Sequence, residues 1–232
     1  VQHGAMLALL ACARTRPPSL PPCPSPAASH CGARVRRLLA EASTGSRHSV
    51  FKMAAPFVMS HLAQRRHAVL HLIALQMLPP LAAARPDDFA RSHLSDALRH
   101  IDASIRDPKY RLDALGAHAA LLPHLSANAA REHLAELTAP VREMLLKTSG
   151  GRARAFVPEA LLSLPPLART LGDEMAAPLR ELLGPLLQLP LSSALGTCLT
   201  DLAAEVPSLA RPLRDRALDL VATILAGVPW VD

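Results

Sequence analysis

From about residue 57 onward the apolar positions recur at intervals of three and four, and no stretch alternates apolar with polar in the manner of a strand. A first helix is expected over about Met59–Ala84, with Leu62, Val69, Leu72, Ile73, Leu75 and Leu78 facing inward. A second follows a cap at Asp87-Asp88 and runs to about Arg106, with Phe89, Leu94, Leu98, Ile101 and Ile105 on one stripe. Asp107-Pro108 then reads as an N-cap with proline at the first helical position, opening a third helix that ends near Leu125. A fourth spans about Asn128–Lys147, and Thr148-Ser149-Gly150-Gly151 is a loop. A fifth covers about Ala155–Leu171 and stops at Gly172, where Asp173 caps a sixth. Ser192 or Ser193 caps a seventh, which stops near Pro207, and an eighth carries the chain to Gly227. Eight helices make four antiparallel pairs.

The pattern also repeats at longer range. Leu78-Pro79-Pro80-Leu81-Ala82, Leu122-Pro123-His124-Leu125-Ser126 and Leu164-Pro165-Pro166-Leu167-Ala168 are one apolar helix-end motif, with prolines 44 and 42 residues apart. The second helices echo too: Ala90-Arg91-Ser92-His93-Leu94 matches Ala130-Arg131-Glu132-His133-Leu134 at an offset of 40, and Pro178-Leu179-Arg180-Glu181 matches Pro212-Leu213-Arg214-Asp215 at 34. A helical period of this length marks an all-α superhelix of HEAT or armadillo type. A pair of this kind cannot bury its apolar faces alone, so neighbours must stack. No polar capping repeat is visible at either end, so apolar end faces and a tendency to self-associate are expected.

Composition sharpens this picture. Apolar residues make up 50% of the 232 positions but aromatics only 3%, so Leu and Ala, both strong helix formers, supply the core. The net charge of +6 is unevenly placed. Residues 1–66 hold nine Lys or Arg and a single acid, Glu41, leaving 16 bases and 18 acids for the rest. The repeat region is therefore nearly neutral and lacks the basic stripe of a nucleic-acid-binding solenoid. Residues 1–55 are low-complexity, rich in Pro, Ser, Ala and Arg, and are expected to be disordered, with the solenoid over 56–232. Cys12, Cys23, Cys31 and Cys198 form no CxxC pair, which fits reduced intracellular thiols. Ala68–Ala84 is the most apolar run, but His71, Gln76 and two prolines interrupt it, so no membrane insertion is expected. No basic residue precedes the apolar Met6–Ala13, and no targeting signal is assigned there. The chain opens on Val1 rather than Met, as a piece of a longer protein would.

A search for chemistry assigns no catalytic, cofactor-binding or metal-binding residue. Neither GxxxxGK[ST] nor GxGxxG occurs, and Gly150-Gly151 beside Arg152 and Arg154 reads as a loop rather than a phosphate cradle. Kinase HRD and DFG signatures are absent. His67 and His71 have the i, i+4 spacing of zinc ligands, but no Glu stands between them as in HExxH and no third ligand is evident. Ser163, Ser192, Ser193 and Ser208 lie outside any GxSxG setting. The carboxylate pairs Asp87-Asp88 and Asp173-Glu174 open helices, where negative charge favours the dipole. Cys198 is expected in the core, and Tyr110 and Trp230 are the aromatics most suited to anchoring a partner.

Asp107-Pro108-Lys109-Tyr110-Arg111-Leu112-Asp113-Ala114-Leu115-Gly116 resembles the turn and second helix of a HEAT unit. Two longer stretches go further: Ala74 through Pro86 followed by Phe89, and the set Glu181-Leu182-Leu183, Leu191-Ser192-Ser193-Ala194-Leu195, Asp201-Leu202, Val206-Pro207-Ser208-Leu209. In order and spacing they resemble the N-terminal HEAT solenoid of the target of rapamycin (TOR) kinases, over roughly residues 60–230. The resemblance implies a non-catalytic scaffold segment of a giant serine/threonine kinase of the phosphatidylinositol-kinase-related class, with the catalytic domain elsewhere. It implies protein partners: a Raptor-like regulatory subunit, other parts of the parent kinase or its dimer mate. The implied location is cytoplasmic, peripheral at endomembranes and nuclear. An unrelated HEAT adaptor, a transport or assembly factor, is the alternative reading.

Overall fold

The computed structural model describes residues 44–64, 67–146, 157–189 and 192–226, and every described element is helical. In chain order they are α1 (Thr44–Gln64), α2 (Ala68–Ala84), α3 (Pro86–Ile105), α4 (Arg111–Leu121), a 3-10 turn (Leu122–His124), α5 (Ala127–Glu132), α6 (Leu134–Leu146), α7 (Val157–Leu161), α8 (Leu164–Leu171), a second 3-10 turn (Gly172–Met175), α9 (Ala176–Leu187), α10 (Ser193–Glu205) and α11 (Pro207–Leu225). Residues 1–43, the loop around Gly150-Gly151 with Arg152 and Arg154, Pro190, and the tail with Trp230 lie outside the described residues.

The chain forms two compact units, divided within α4 between Ala117 and His118. In the first, α1, α2 and α3 pack on one another. Only Arg85 separates α2 from α3, so α3 turns back along α2 as the second arm of a hairpin. The expected stripe of α3 is in place: Phe89, Leu94, Leu98, Ile101 and Ile105 are all buried. In the second unit, hairpin arms stack on the arms that follow. α6 packs on α9 and α9 on α11, while α8 packs on α10. Stacked helix pairs are the building pattern of an all-α helical solenoid.

Several boundaries differ from the sequence expectation, each for a local reason. The first expected helix, Met59–Ala84, is two helices. α1 already begins at Thr44 and buries Phe51, Ala55, Val58 and Leu62, while α2 starts afresh after His67. Val69, expected inward, is 41% exposed. The repeated Leu-Pro motif plays different parts. Pro79 and Pro80 stand inside α2 near its C-terminal end, whereas Pro165 and Pro166 open α8, where a missing N–H leaves no helix bond broken. The fifth helix accordingly breaks at Leu162-Ser163.

Caps shift as well. Asp107 does not cap a helix. Its Oδ1 accepts from Lys109 N at 3.0 Å and closes a turn, and α4 starts only at Arg111. Asp87 and Asp88 fill the first turn of α3 behind Pro86, with Arg85 as the N-cap. Asp173 reaches past its own helix, and its Oδ1 accepts from Ser208 N at 3.3 Å in the opening turn of α11. Ser192 caps α10 as expected, accepting from Leu195 N at 3.2 Å. Gly172 ends α8 at φ 55°, a left-handed conformation that glycine adopts without a Cβ clash.

Burial predicts mutational cost. Leu75→Ala, at a fully buried position, should lower unfolding free energy by about 3 kcal/mol. Val69→Ala should change it by less than about 0.5 kcal/mol. Urea titrations followed by circular dichroism measure both, and equal effects would contradict the placement of Val69.

Candidate functional site

Two buried Ser–His pairs are the arrangements closest to chemistry. His71 on α2 and Ser104 on α3 are both fully buried, with Nε2 and Oγ 3.0 Å apart. The Ser104 hydroxyl also donates to His100 O at 2.7 Å. Its single proton is thereby used, so the His71 Nε2–H must be the donor to Oγ. Tyr110 closes the cluster with its ring 4.6 Å from that of His71. In the second unit His118 Nδ1 meets Ser163 Oγ at 2.9 Å, again with both side chains fully buried.

Two of the three members of a nucleophilic triad are thus present twice, and in neither place can they act. A nucleophile needs a path to its substrate, and a base needs an orienting acid. Ser104 and Ser163 have no exposed surface. The Nε2 of His118 has no hydrogen-bond partner. Burial pushes the His118 pKa down to about 4, so the ring is neutral at pH 7. Each pair shares one hydrogen bond inside a Leu-rich core. Their pairing spans 33 and 45 residues, and no local motif announces it.

The remaining candidates also resolve as structure. His67 lies outside α2 and exposed, while His71 points into the core, so the two do not share a ligand face. Among the described residues no group of three His, Cys, Asp or Glu is placed to hold a metal. Cys198 is buried, its Sγ 3.7 Å from Leu161 O, and burial pushes the thiol up to about 12, far from a reactive thiolate. Tyr110, expected as a partner anchor, is only 5% exposed and belongs to the core beside His71. A cleft of about 420 Å³ is lined by Ala84, Arg85, Pro86, Asp87, Asp88 and Arg91. Arg85 Nη2 is locked onto Asp88 there at 2.7 Å, and two carboxylates in the first turn of α3 disfavour an anion.

What the structure does present is surface, organised by a ladder of ion pairs. Arg131 on α5 makes a two-pronged contact with Glu174, 2.7 Å at each prong. Arg142 on α6 lies 3.6 Å from Glu181 on α9. Arg169 on α8 reaches Asp201 at 2.9 Å and Glu205 at 3.5 Å, both on α10. Every one of these joins an arginine of one hairpin to an acid of the next. The contact with Arg131 holds the Glu174 carboxyl below its ordinary range. The motif behind Arg142 occurs three times, as Pro140-Val141-Arg142-Glu143, Pro178-Leu179-Arg180-Glu181 and Pro212-Leu213-Arg214-Asp215. Val141, Leu179 and Leu213 are buried in all three. Sequence reading found only the last two copies, because the first carries Val and sits 38 residues ahead instead of 34.

The class defined by these features is an all-α helical solenoid. No family model matches the chain. It is similar to the serine/threonine-protein kinase TOR of Arabidopsis thaliana, 24% identical over 178 residues, which cover 77% of this chain and 7% of that protein. The chain therefore matches only a small part of the length of this relative. Among the described residues no helix is long and apolar enough to cross a membrane.

Acid should unfold this protein partly through His118. An unfolded histidine titrates near 6.5 and the folded one near 4, so between those values the unfolded chain binds a proton that the folded chain refuses. Stability should fall as pH drops from about 6.5 to 4, by roughly 3 kcal/mol from this group. His118→Gln removes that step. Urea titrations at pH 7 and pH 4.5 should show the variant losing less stability on acidification than the wild type, and an identical loss would mean the ring is hydrated.

Proposed function

We propose that this chain is a non-catalytic scaffold segment of a TOR-like protein kinase of the phosphatidylinositol-kinase-related class. It supports assembly of the kinase complex and offers binding surface to regulatory subunits in growth and nutrient signalling. The observation that carries this reading is the match to the TOR kinase over 178 residues, which is 77% of this chain but 7% of the kinase. The physical setting supports it: two stacked-helix units and a nearly neutral repeat region suited to protein partners rather than nucleic acid.

An antibody raised against this chain tests the proposal on the native protein. It should detect a polypeptide far larger than 24.7 kDa, and the immunoprecipitate should phosphorylate protein serine or threonine while the isolated chain does not. A native product near 24.7 kDa would replace this reading with a free-standing helical-repeat adaptor.

A further inference from the structure

The Pro-x-Arg-acid motif places one arginine on each second arm of the second unit: Arg142 on α6, Arg180 on α9 and Arg214 on α11. The residue before each arginine is buried and the arginine itself is exposed, so all three occupy the same place on their helices. α6 packs on α9 and α9 on α11, and helices in contact lie about 8–10 Å apart. The arginines therefore form a ridge with one rung per helix.

The rungs are not equally used. Arg142 has Glu181 of the next helix at 3.6 Å. By the same geometry Arg180 would take Asp215, but Asp215 faces Arg211 and Arg214 of its own helix, at 3.6 and 3.3 Å. Arg211 stands where α6 and α9 carry Ala139 and Ala177, so this extra claimant is particular to α11. Among the described residues Arg180 is left exposed without an ion-pair or hydrogen-bond partner.

The surroundings of Arg180 are open as well. Ala177 and Gly184 stand three residues before it and four after it, on the same side of α9, and both are exposed. Gly184 lies inside the helix, where glycine costs stability relative to alanine. The fold does not demand it: its φ is not positive, and a Cβ there would meet no atom within 4 Å. Gly116 and Gly196 have the same freedom, but neither has an arginine within one turn. An unpaired guanidinium thus stands between two small residues that let a second backbone come close.

We propose that this ridge binds an extended acidic segment of a protein partner, which crosses α6, α9 and α11 with Arg180 as the central contact. An extended chain advances about 10 Å in three residues, which is one helix spacing, so a carboxylate at every third residue meets successive rungs. Carboxylates at intervals fit better than a nucleic-acid backbone. Glu143, Glu181 and Asp215 are interleaved with the arginines and repel a continuous run of phosphates. The inference rests on the scaffold reading for the presence of a partner and deepens it by giving the partner's chemistry.

Fluorescence anisotropy of the full chain with a labelled peptide of repeating Glu-Ser-Gly triplets tests it. Arg180→Glu should weaken binding by on the order of tenfold or more, and Glu181→Gln, which frees Arg142, should strengthen it. Gly184→Leu should weaken binding too, while raising resistance to urea, since leucine is the better helix former. Arg99→Glu, the same charge change at an exposed arginine of the first unit, should leave binding as it was. No binding at low salt, or equal weakening by Arg99→Glu and Arg180→Glu, would overturn the ridge. So would tighter binding of a single-stranded RNA that Arg180→Glu abolishes, because the occupant would then be a nucleic acid. None of these results bears on the antibody experiment, so the scaffold reading is decided separately.

Discussion

A helix pair built from leucine and alanine carries apolar surface on more than one side, while each arm covers only one side of the other. The rest must be covered by the neighbouring pair, or it stays in water at about 25 cal/mol for every square ångström. Much of this structure follows from that constraint. α9 is buried through Leu179, Leu182, Leu186 and Leu187, residues spread too widely around the helix for one partner, and it accordingly packs on both α6 and α11. Polar side chains that fall inside the stack must then find partners there. His71 meets Ser104 and His118 meets Ser163, in one unit each. The geometry that in an exposed cleft would suggest a nucleophile is here a way of burying an imidazole.

The ion pairs between hairpins act on a different scale. Arg131, Arg142 and Arg169 are each about half exposed or more, and solvent screens pairs of that kind so that they contribute little. They cannot hold the stack together, and the apolar burial does not need them. Burial is tolerant of sliding, however, since one leucine stripe fits another in several registers. A two-pronged Arg131–Glu174 contact favours one register over its neighbours. Energy from leucine and alignment from arginine is a division of labour consistent with a chain whose hairpins share motifs but differ in spacing.

The sequence disclosed the class of fold because helical periodicity and the recurring Leu-Pro motif survive as patterns in the chain. The stripe Phe89, Leu94, Leu98, Ile101, Ile105 could be read directly, since long amphipathic helices average out local exceptions. Helix ends could not be read so well. Leu-Pro-Pro-Leu-Ala is the same five residues at 78 and 164, yet it lies inside α2 and begins α8. Proline is acceptable at a first turn and bearable near a last one, so only packing decides between them. Asp173 likewise looked like the cap of the helix it opens and instead caps α11, a partner set by the fold. The Ser–His pairs could not be read at all, because contacts across 33 and 45 residues leave no local trace.

The comparison of Leu187 with Val221 bears on how far exposure can be interpreted in a repeat protein. An exposed leucine on an ordinary globular surface is common and carries little meaning. A repeat supplies its own control, because the equivalent position one period earlier reports the environment that the motif normally meets. Leu187 is covered and Val221 is bare in two helices that share the Pro-Leu-Arg-acid turn and its offset of 34. At the corresponding position one turn earlier Gly184 and Leu218 are both exposed, so the coverage of Leu187 is particular to that position.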